Sequence, residues 1–276
     1  TWDKSLRNII GYIDGSLKPI EYSTEKFKGI ENKEEALEYI NNAINSDSEY
    51  ISCDTETTGL FPRDGYVLGI SLAYEEDSGV YILTDIIDEE VEEQLQILFW
   101  NKKVIFHNAK FDLAMLEYHF NFEFPRVEDT MLLHYLLNEN PGTHGLKQLA
   151  MRHTKYGDYE KPLTEYIDQY CRRNRVLKSQ FNWGMIPFDI MQVYSAMDAV
   201  VTFILFHVFK EAIAKNPKLE KVYSDILIPG VFFLKDMQDI GVPFDRKRLE
   251  LAQNLMEDDI EEAILNLYNF PEVKIF

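Results

Sequence analysis

The sequence predicts an α/β fold: a mixed sheet flanked by helices, with a helical segment after it. Three observations predict it. Short apolar runs that end in turn residues alternate with stretches of helical spacing up to about residue 120. Two of those runs, 66–74 and 79–84, are joined only by the acidic turn EEDSG, so they pair antiparallel and the sheet is not all parallel. From Val127 onward the apolar spacing is almost wholly helical.

Residues 1–30 are mixed and polar, broken by Gly11, Gly15, Pro19 and Gly29, and read as an N-terminal extension. Ala36, Leu37, Ile40, Ala43 and Ile44 then recur at helical spacing. YISCDTETTGL (50–60) is a strand running into a turn. EEVEEQLQILFW (89–100) is a helix with acids in its first turn, where the helix dipole favours them. KVIFHN (103–108) is a buried strand and AKFDLAMLEYHF (109–120) the helix after it. DTMLLHYLLN, HGLKQLAMRH and LTEYIDQYC are short helices. Residues 188–215 form one long helix or two on a shared axis, and a further helix covers about 219–240. GVPFD (241–245) is a turn and short strand before a last helix at 246–268.

The chain has 276 residues, 46% of them hydrophobic, enough for a sizeable core. No apolar run approaches the roughly 18 residues of a membrane span, and the N-terminus lacks the layout of a signal peptide. Cys53 and Cys171 make neither a disulfide framework nor a metal-ligand spacing, so they read as reduced thiols of a cytoplasmic protein. The formal net charge of −19 by itself argues against nucleic-acid binding. It does not exclude an enzyme that meets phosphate through bound metal, which needs carboxylates at its centre and only a local basic track.

Three acidic constellations carry chemistry. Asp54 and Glu56 lie two apart at the end of a strand and therefore share a face. Two crowded carboxylates repel unless a proton or cation sits between them, and Mg²⁺ prefers such oxygens. Alone, the pair reads as a solvated strand end. Asn108 sits where a helix N-cap belongs, with Asp112 one turn further on, pointing back toward the strand's edge, and Phe111 between them set to pack into the core. Tyr194 and Asp198 lie four apart on one face of the long helix among apolar neighbours, where an Asp must be paired, hydrogen-bonded or bound to metal. The alternative for this pair is a core tyrosine whose hydroxyl bonds Asp198. Together, four carboxylates meeting at one place would suit two cations about 3.5–4 Å apart, clamping the attacking and leaving oxygens of a displacement at phosphorus.

DTETTGL, HNAKFD and YSAMD, in that order, resemble the three exonuclease motifs of the DnaQ-like superfamily. Tyr194 four residues before Asp198 resembles the DEDDy branch; the sister branch has a His five residues before the last Asp, where Val193 stands here. DTMLLHYLLN, HGLKQLA and ILIPGVFFLKDMQDIGVPFD (226–245) are similar to the proofreading domain of family-A DNA polymerases, of the DNA polymerase I type, and to the segment that opens their polymerase portion. The resemblance covers residues 32–268.

It implies a ribonuclease H-like mixed five-stranded sheet, an exonuclease domain at 31–218 and the thumb-proximal start of a polymerase domain at 219–276. It implies two Mg²⁺ ions, with Mn²⁺ as a substitute. Asp54, Glu56 and Asp198 would hold the first ion, Asp54 and Asp112 the second, and Tyr194 would orient the attacking water. Leu60 would wedge against the terminal base while Thr57 and Asn108 steady the strand end; the alternative for Leu60 is a core residue closing the turn. The substrate would be single-stranded or frayed 3′ DNA ends, and the chain would be either a fragment whose polymerase motifs lie further along the same longer chain, the reading the apolar KIF ending favours, or a stand-alone exonuclease with a helical tail.

Arg172, Arg173, Arg175 and Lys178 form the densest basic run, just before Phe181 and Trp183, and suit a single-stranded path or a solvated loop. Lys147, Arg152 and Lys155 are a second track. Two other classes remain open on sequence alone: a non-catalytic module of the same fold that binds DNA or braces a polymerase, and an RNA exonuclease resembling ribonuclease D, since no residue reads the 2′-hydroxyl.

Overall fold

A computed structural model describes residues 23–270 and 273. The chain divides into two compact units, Thr1–Lys235 and Asp236–Phe276. Most of the expected extension, residues 1–22, lies outside the described residues, as do residues 271, 272 and 274–276.

The first unit is built on a six-stranded mixed sheet. Its strands are β1 (Phe27–Ile30), β2 (Tyr50–Thr57), β3 (Val67–Ala73), β4 (Gly79–Leu83), β5 (Lys103–Phe106) and β6 (Val127–Asp129), in the spatial order β1-β4-β3-β2-β5-β6. The predicted hairpin is β3 and β4, and β2 lies inside the sheet, antiparallel to β3 and parallel to β5. The expected count of five becomes six. Phe27–Ile30, read as part of the extension, pairs parallel with β4, and Val127–Asp129, read as helical, pairs parallel with β5. Both are edge strands of three or four residues, too short to show a period of two.

Helices α1 (Lys33–Asn45), α2 (Glu89–Asn101) and α3 (Ala109–Phe120) cover one side of the sheet. Their buried residues, among them Ile40, Leu95, Phe99 and Leu116, pack with Ile51, Ile70 and Ile82 from the strands. α4 (Thr130–Leu137), α5 (Leu146–His153), α6 (Lys161–Asn174) and the long α7 (Phe188–Ala214) contribute to the core on the other side. α7 lies against β1, β2, β3 and β4, as one helix rather than two.

Its close approach explains two glycines. A Cβ at Gly29 would sit 2.1 Å from the Phe188 ring, and one at Gly79 would sit 2.7 Å from the Ala196 carbonyl oxygen. Polar contacts lock the same seam: Gln192 Oε1 accepts from Gly29 N at 2.8 Å, and the buried Ser52 Oγ lies 2.7 Å from Ala199 O.

The helix expected at 219–240 is α8 (Pro217–Val222), a π-helical turn (Tyr223–Leu227) and α9 (Ile228–Ile240), with the unit boundary inside α9. In the second unit, residues 241–245 are irregular, with neither the expected turn nor the expected strand, and Asp245 caps α10 (Arg246–Tyr268), accepting from Lys247 N at 3.0 Å. Among the described residues no helix is long and apolar enough to cross a membrane. Cys53 and Cys171 are both free and buried.

Candidate active site

The site forms where β2 ends. Asp54 and Glu56 share a face of that strand, opposite Ser71 and Gly69 of β3, and the register shifts between Glu56 and Thr57. The bulge ends regular pairing just past Glu56 and lets the chain turn away. α7 crosses behind and presents Asp198, so that one ligand oxygen each from Asp54, Glu56 and Asp198 lies within 4.8 Å of the others. Carboxylate oxygen is the donor set of a hard divalent cation such as Mg²⁺ or Mn²⁺, and this cluster fits one.

Asp112 is not one of those three. It rises from the first turn of α3, as expected, and its Oδ1 accepts from Thr55 N at 3.0 Å and Thr55 Oγ1 at 2.7 Å. Thr55 stands between Asp54 and Glu56, so its two bonds anchor Asp112 beside the same strand end, where the Asp112 charge acts on Asp54.

Electrostatics match the crowding. Burial, then the charges of Asp112, Asp198 and Glu56, push the Asp54 carboxyl well above the usual range. Burial and then Asp198 push Glu56 up to about 8, against a hydrogen bond from Ser195 Oγ to Glu56 Oε1 at 2.9 Å. Burial brings Asp112 to about 7, with the two Thr55 bonds pulling it down. Groups that hold protons this firmly relieve their repulsion by binding a cation instead.

Tyr194 is buried beside the cluster, its ring near those of Tyr159 and Trp183. The hydroxyl that bonds Asp198 Oδ1 is that of Tyr159, and Lys147 Nζ meets the same oxygen. Tyr159 was not singled out in the sequence, since nothing local marks a tyrosine 39 residues upstream as a partner. Lys147, read as a track for DNA, is at the centre itself. Ser195 and Thr55 were likewise missed, although each adjoins a motif acid or tyrosine.

Asn108 holds the N-cap position of α3 but makes no capping bond with its side chain; its backbone is left-handed, with φ 75°. Asp129 supplies the cap. Its carboxylate accepts from Ala109 N at 2.8 Å and Asn108 N at 3.4 Å, and also from Met131 N at 2.8 Å and Leu132 N at 3.1 Å at the start of α4. An Asp ahead of a helical run was the available signal.

A groove of about 460 Å³ opens beside the carboxylates, lined by Glu56, Thr57, Leu60, Phe111, Phe181 and Trp183 among others. Leu60 is 77% exposed, so it does not close the core, and Phe111 is only half-buried rather than packed inside. Lys178 lines the groove and pairs with Asp168. Arg172, Arg173 and Arg175 are exposed and outside it; Arg173 instead lines a cleft with Tyr166, Gln169, Tyr170 and Asn174.

A mixed sheet with an Asp-x-Glu pair ending an inner strand, an Asp from the next helix and an Asp from a long crossing helix defines a carboxylate-centred nuclease. The chain belongs to the 3′–5′ exonuclease domain family of DNA polymerase A, whose model matches residues 27–214. It is 39% identical over 281 aligned positions to the DNA polymerase of Escherichia phage T5, covering 99% of this chain and 33% of that protein. It is 27% identical over 245 positions to DNA polymerase I of Borreliella burgdorferi, covering 85% of this chain and 25% of that one. The chain thus spans a third or less of these relatives.

Among solved structures it resembles the POL domain of Pol1 from M. smegmatis (TM-score 0.62, 17% identity, 87% of this chain and 37% of that one). It also resembles the catalytic core of RRP6 from Trypanosoma brucei (TM-score 0.52, 16% identity, 75% and 53%). At these identities the likeness concerns the fold alone.

Proposed function

We propose that this chain removes nucleotides from DNA 3′ ends by two-metal-ion hydrolysis and proofreads for a family-A polymerase of which it is a part. The observation that carries the proposal is the meeting of Asp54, Glu56 and Asp198 beside a groove lined by Leu60 and aromatic rings. Asp54, Glu56 and Asp198 would hold one Mg²⁺, and Asp112 with Asp54 would hold the second. Mn²⁺ substitutes, having the same taste for oxygen. When bound, the ions supply a nucleophilic water at neutral pH and offset charge on the attacking and leaving oxygens.

The chain's own residues do the rest. Tyr194 orients the attacking water by hydrogen bond. It is no base, because burial and then the charge of Asp198 hold its hydroxyl well above its usual value. Ser195 fixes Glu56, Thr55 fixes Asp112, and Tyr159 fixes Asp198. Leu60 wedges against the terminal base, and Thr57 and Asn108 steady the strand end. Phe181 and Trp183 offer faces for stacking, and Arg172, Arg173 and Arg175 continue the strand's path beyond the groove. A site that takes single strands accepts a frayed mismatch with less unpairing cost than a paired end. Residues 31–218 form the exonuclease domain, 219–276 begin the polymerase portion, and the enzyme works in the cytoplasm of a bacterium or infected host.

The test is release of nucleotides from a 5′-labelled single-stranded DNA oligomer in Mg²⁺. Asp54→Ala should abolish it and Tyr194→Phe should slow it by roughly tenfold or more. Undiminished cleavage by Asp54→Ala would refute the assignment. An RNA oligomer of the same sequence, cut as fast as DNA, would redirect it to RNA.

A further inference from the structure

Among the described residues Lys147 is the cation that contacts the carboxylate cluster, and its surroundings hold it there. From α5 its Nζ contacts Asp198 Oδ1, lies 3.1 Å from the Tyr159 hydroxyl and sits 4.2 Å above the Tyr194 ring and 4.7 Å above that of Tyr159. Its side chain is only 25% exposed. Four contacts, two from α7 and two from the turn that carries Tyr159, are more than a solvated surface lysine keeps. The oxygens of Asp54 and Glu56 in the cluster lie within 4.8 Å of that of Asp198, so the ammonium at Asp198 acts on them across a short distance as well. A single positive charge therefore serves all three acids of the cluster.

We propose that Lys147 is a resident counter-cation of the centre that competes with divalent metal for it, so that a metal ion binds only by displacing or overcoming the ammonium at Asp198. This rests on the reading of Asp54, Glu56 and Asp198 as metal ligands. The physical reason is Coulombic: a cation in contact with one ligand and felt by two others neutralises the charge that attracts the metal, and like charges within a few ångströms repel in a partly dry site. The charge also spares the protein three crowded, uncompensated carboxylates whenever metal is scarce. Lys147 is thus a positioning residue that sets the metal requirement.

Lys147→Met keeps the stem and removes the charge. Calorimetric titration with Mn²⁺, without nucleic acid, should show binding about tenfold tighter or more than wild type. Melting in chelator should occur at lower temperature than wild type, and Mn²⁺ should raise the melting temperature by more than it raises that of wild type. A lysine that merely braced α5 against α7 would lower both melting temperatures equally and leave Mn²⁺ affinity unchanged, and that result would overturn the proposal. A variant folded only with Mn²⁺ supports it; one unfolded in both conditions overturns it. Asp54→Ala is the control: if it binds Mn²⁺ as wild type does, or if wild type binds none, the metal reading itself falls and the role of Lys147 with it.

Discussion

Asp112 of α3 accepts both hydrogen bonds that Thr55 of β2 can offer, at 3.0 Å from N and 2.7 Å from Oγ1, across 57 residues of chain. That contact ties a helix to the strand that carries Asp54 and Glu56. Thr55→Val keeps shape and backbone donor but removes the hydroxyl. Hydrogen bonds to charged groups are worth about 1.5–3 kcal/mol, so urea unfolding in chelator should show a loss of about 1–2 kcal/mol. Cleavage of single-stranded DNA in Mg²⁺ should also slow, because one acid is less firmly aimed.

Asp129 satisfies N–H groups at the starts of two helices at once. Asp129→Ala leaves those donors without their acceptor in a buried place. The expected cost is about 3 kcal/mol, larger than a single cap, read as a lower urea midpoint with unchanged slope. Asp129→Asn, which retains an acceptor oxygen, should cost less.

At Gly79 an added Cβ meets backbone, the Ala196 carbonyl oxygen at 2.7 Å, as well as Val200 Cγ2 at 2.8 Å. Neither β4 nor α7 can yield without disturbing the seam behind the site. Gly79→Ala should destabilise by about 1–3 kcal/mol, the usual range for overpacking. Its melting temperature should fall, and cleavage should weaken through displacement of Asp198, two residues beyond Ala196.

The His107 ring is part-buried, with Nδ1 2.7 Å from Thr130 Oγ1, and burial holds its pKa down at about 3. Unfolded, it titrates near 6.5. Between those values the unfolded chain binds a proton that the folded chain refuses. The stability linked to this depressed imidazole is therefore full above pH 6.5 and declines as pH falls through the window down to about 3. Wild type should lose about 1–2 kcal/mol more than His107→Gln between pH 7 and pH 5. Paired urea titrations at the two values check it; parallel losses would contradict it.

Much of the fold was legible because period and punctuation are local. The helices 33–45, 89–101, 109–120, 188–214 and 246–268 follow their apolar spacing closely, and the β3–β4 hairpin follows its acidic turn. β1 and β6 were not legible, since three or four residues become a strand only through a neighbour that accepts their pairing. The same holds for the strand expected at 241–245, which finds no partner strand among the described residues of the second unit.

The sequence by itself determined which acids stand on which elements: Asp54 and Glu56 on one face of a strand, Asp112 in the first turn of a helix, and Asp198 one helical turn beyond Tyr194. Those facts follow from backbone periods that each segment carries alone. Only the tertiary structure decided that Asp198 shares its oxygen with Lys147 and Tyr159 rather than Tyr194, that Thr55 grips Asp112, and that Asp129 rather than Asn108 caps α3. These pairings join residues 20 to 57 positions apart. Such contacts depend on how helices are laid against the sheet, a choice made by the sum of core packing and not by any one stretch of chain.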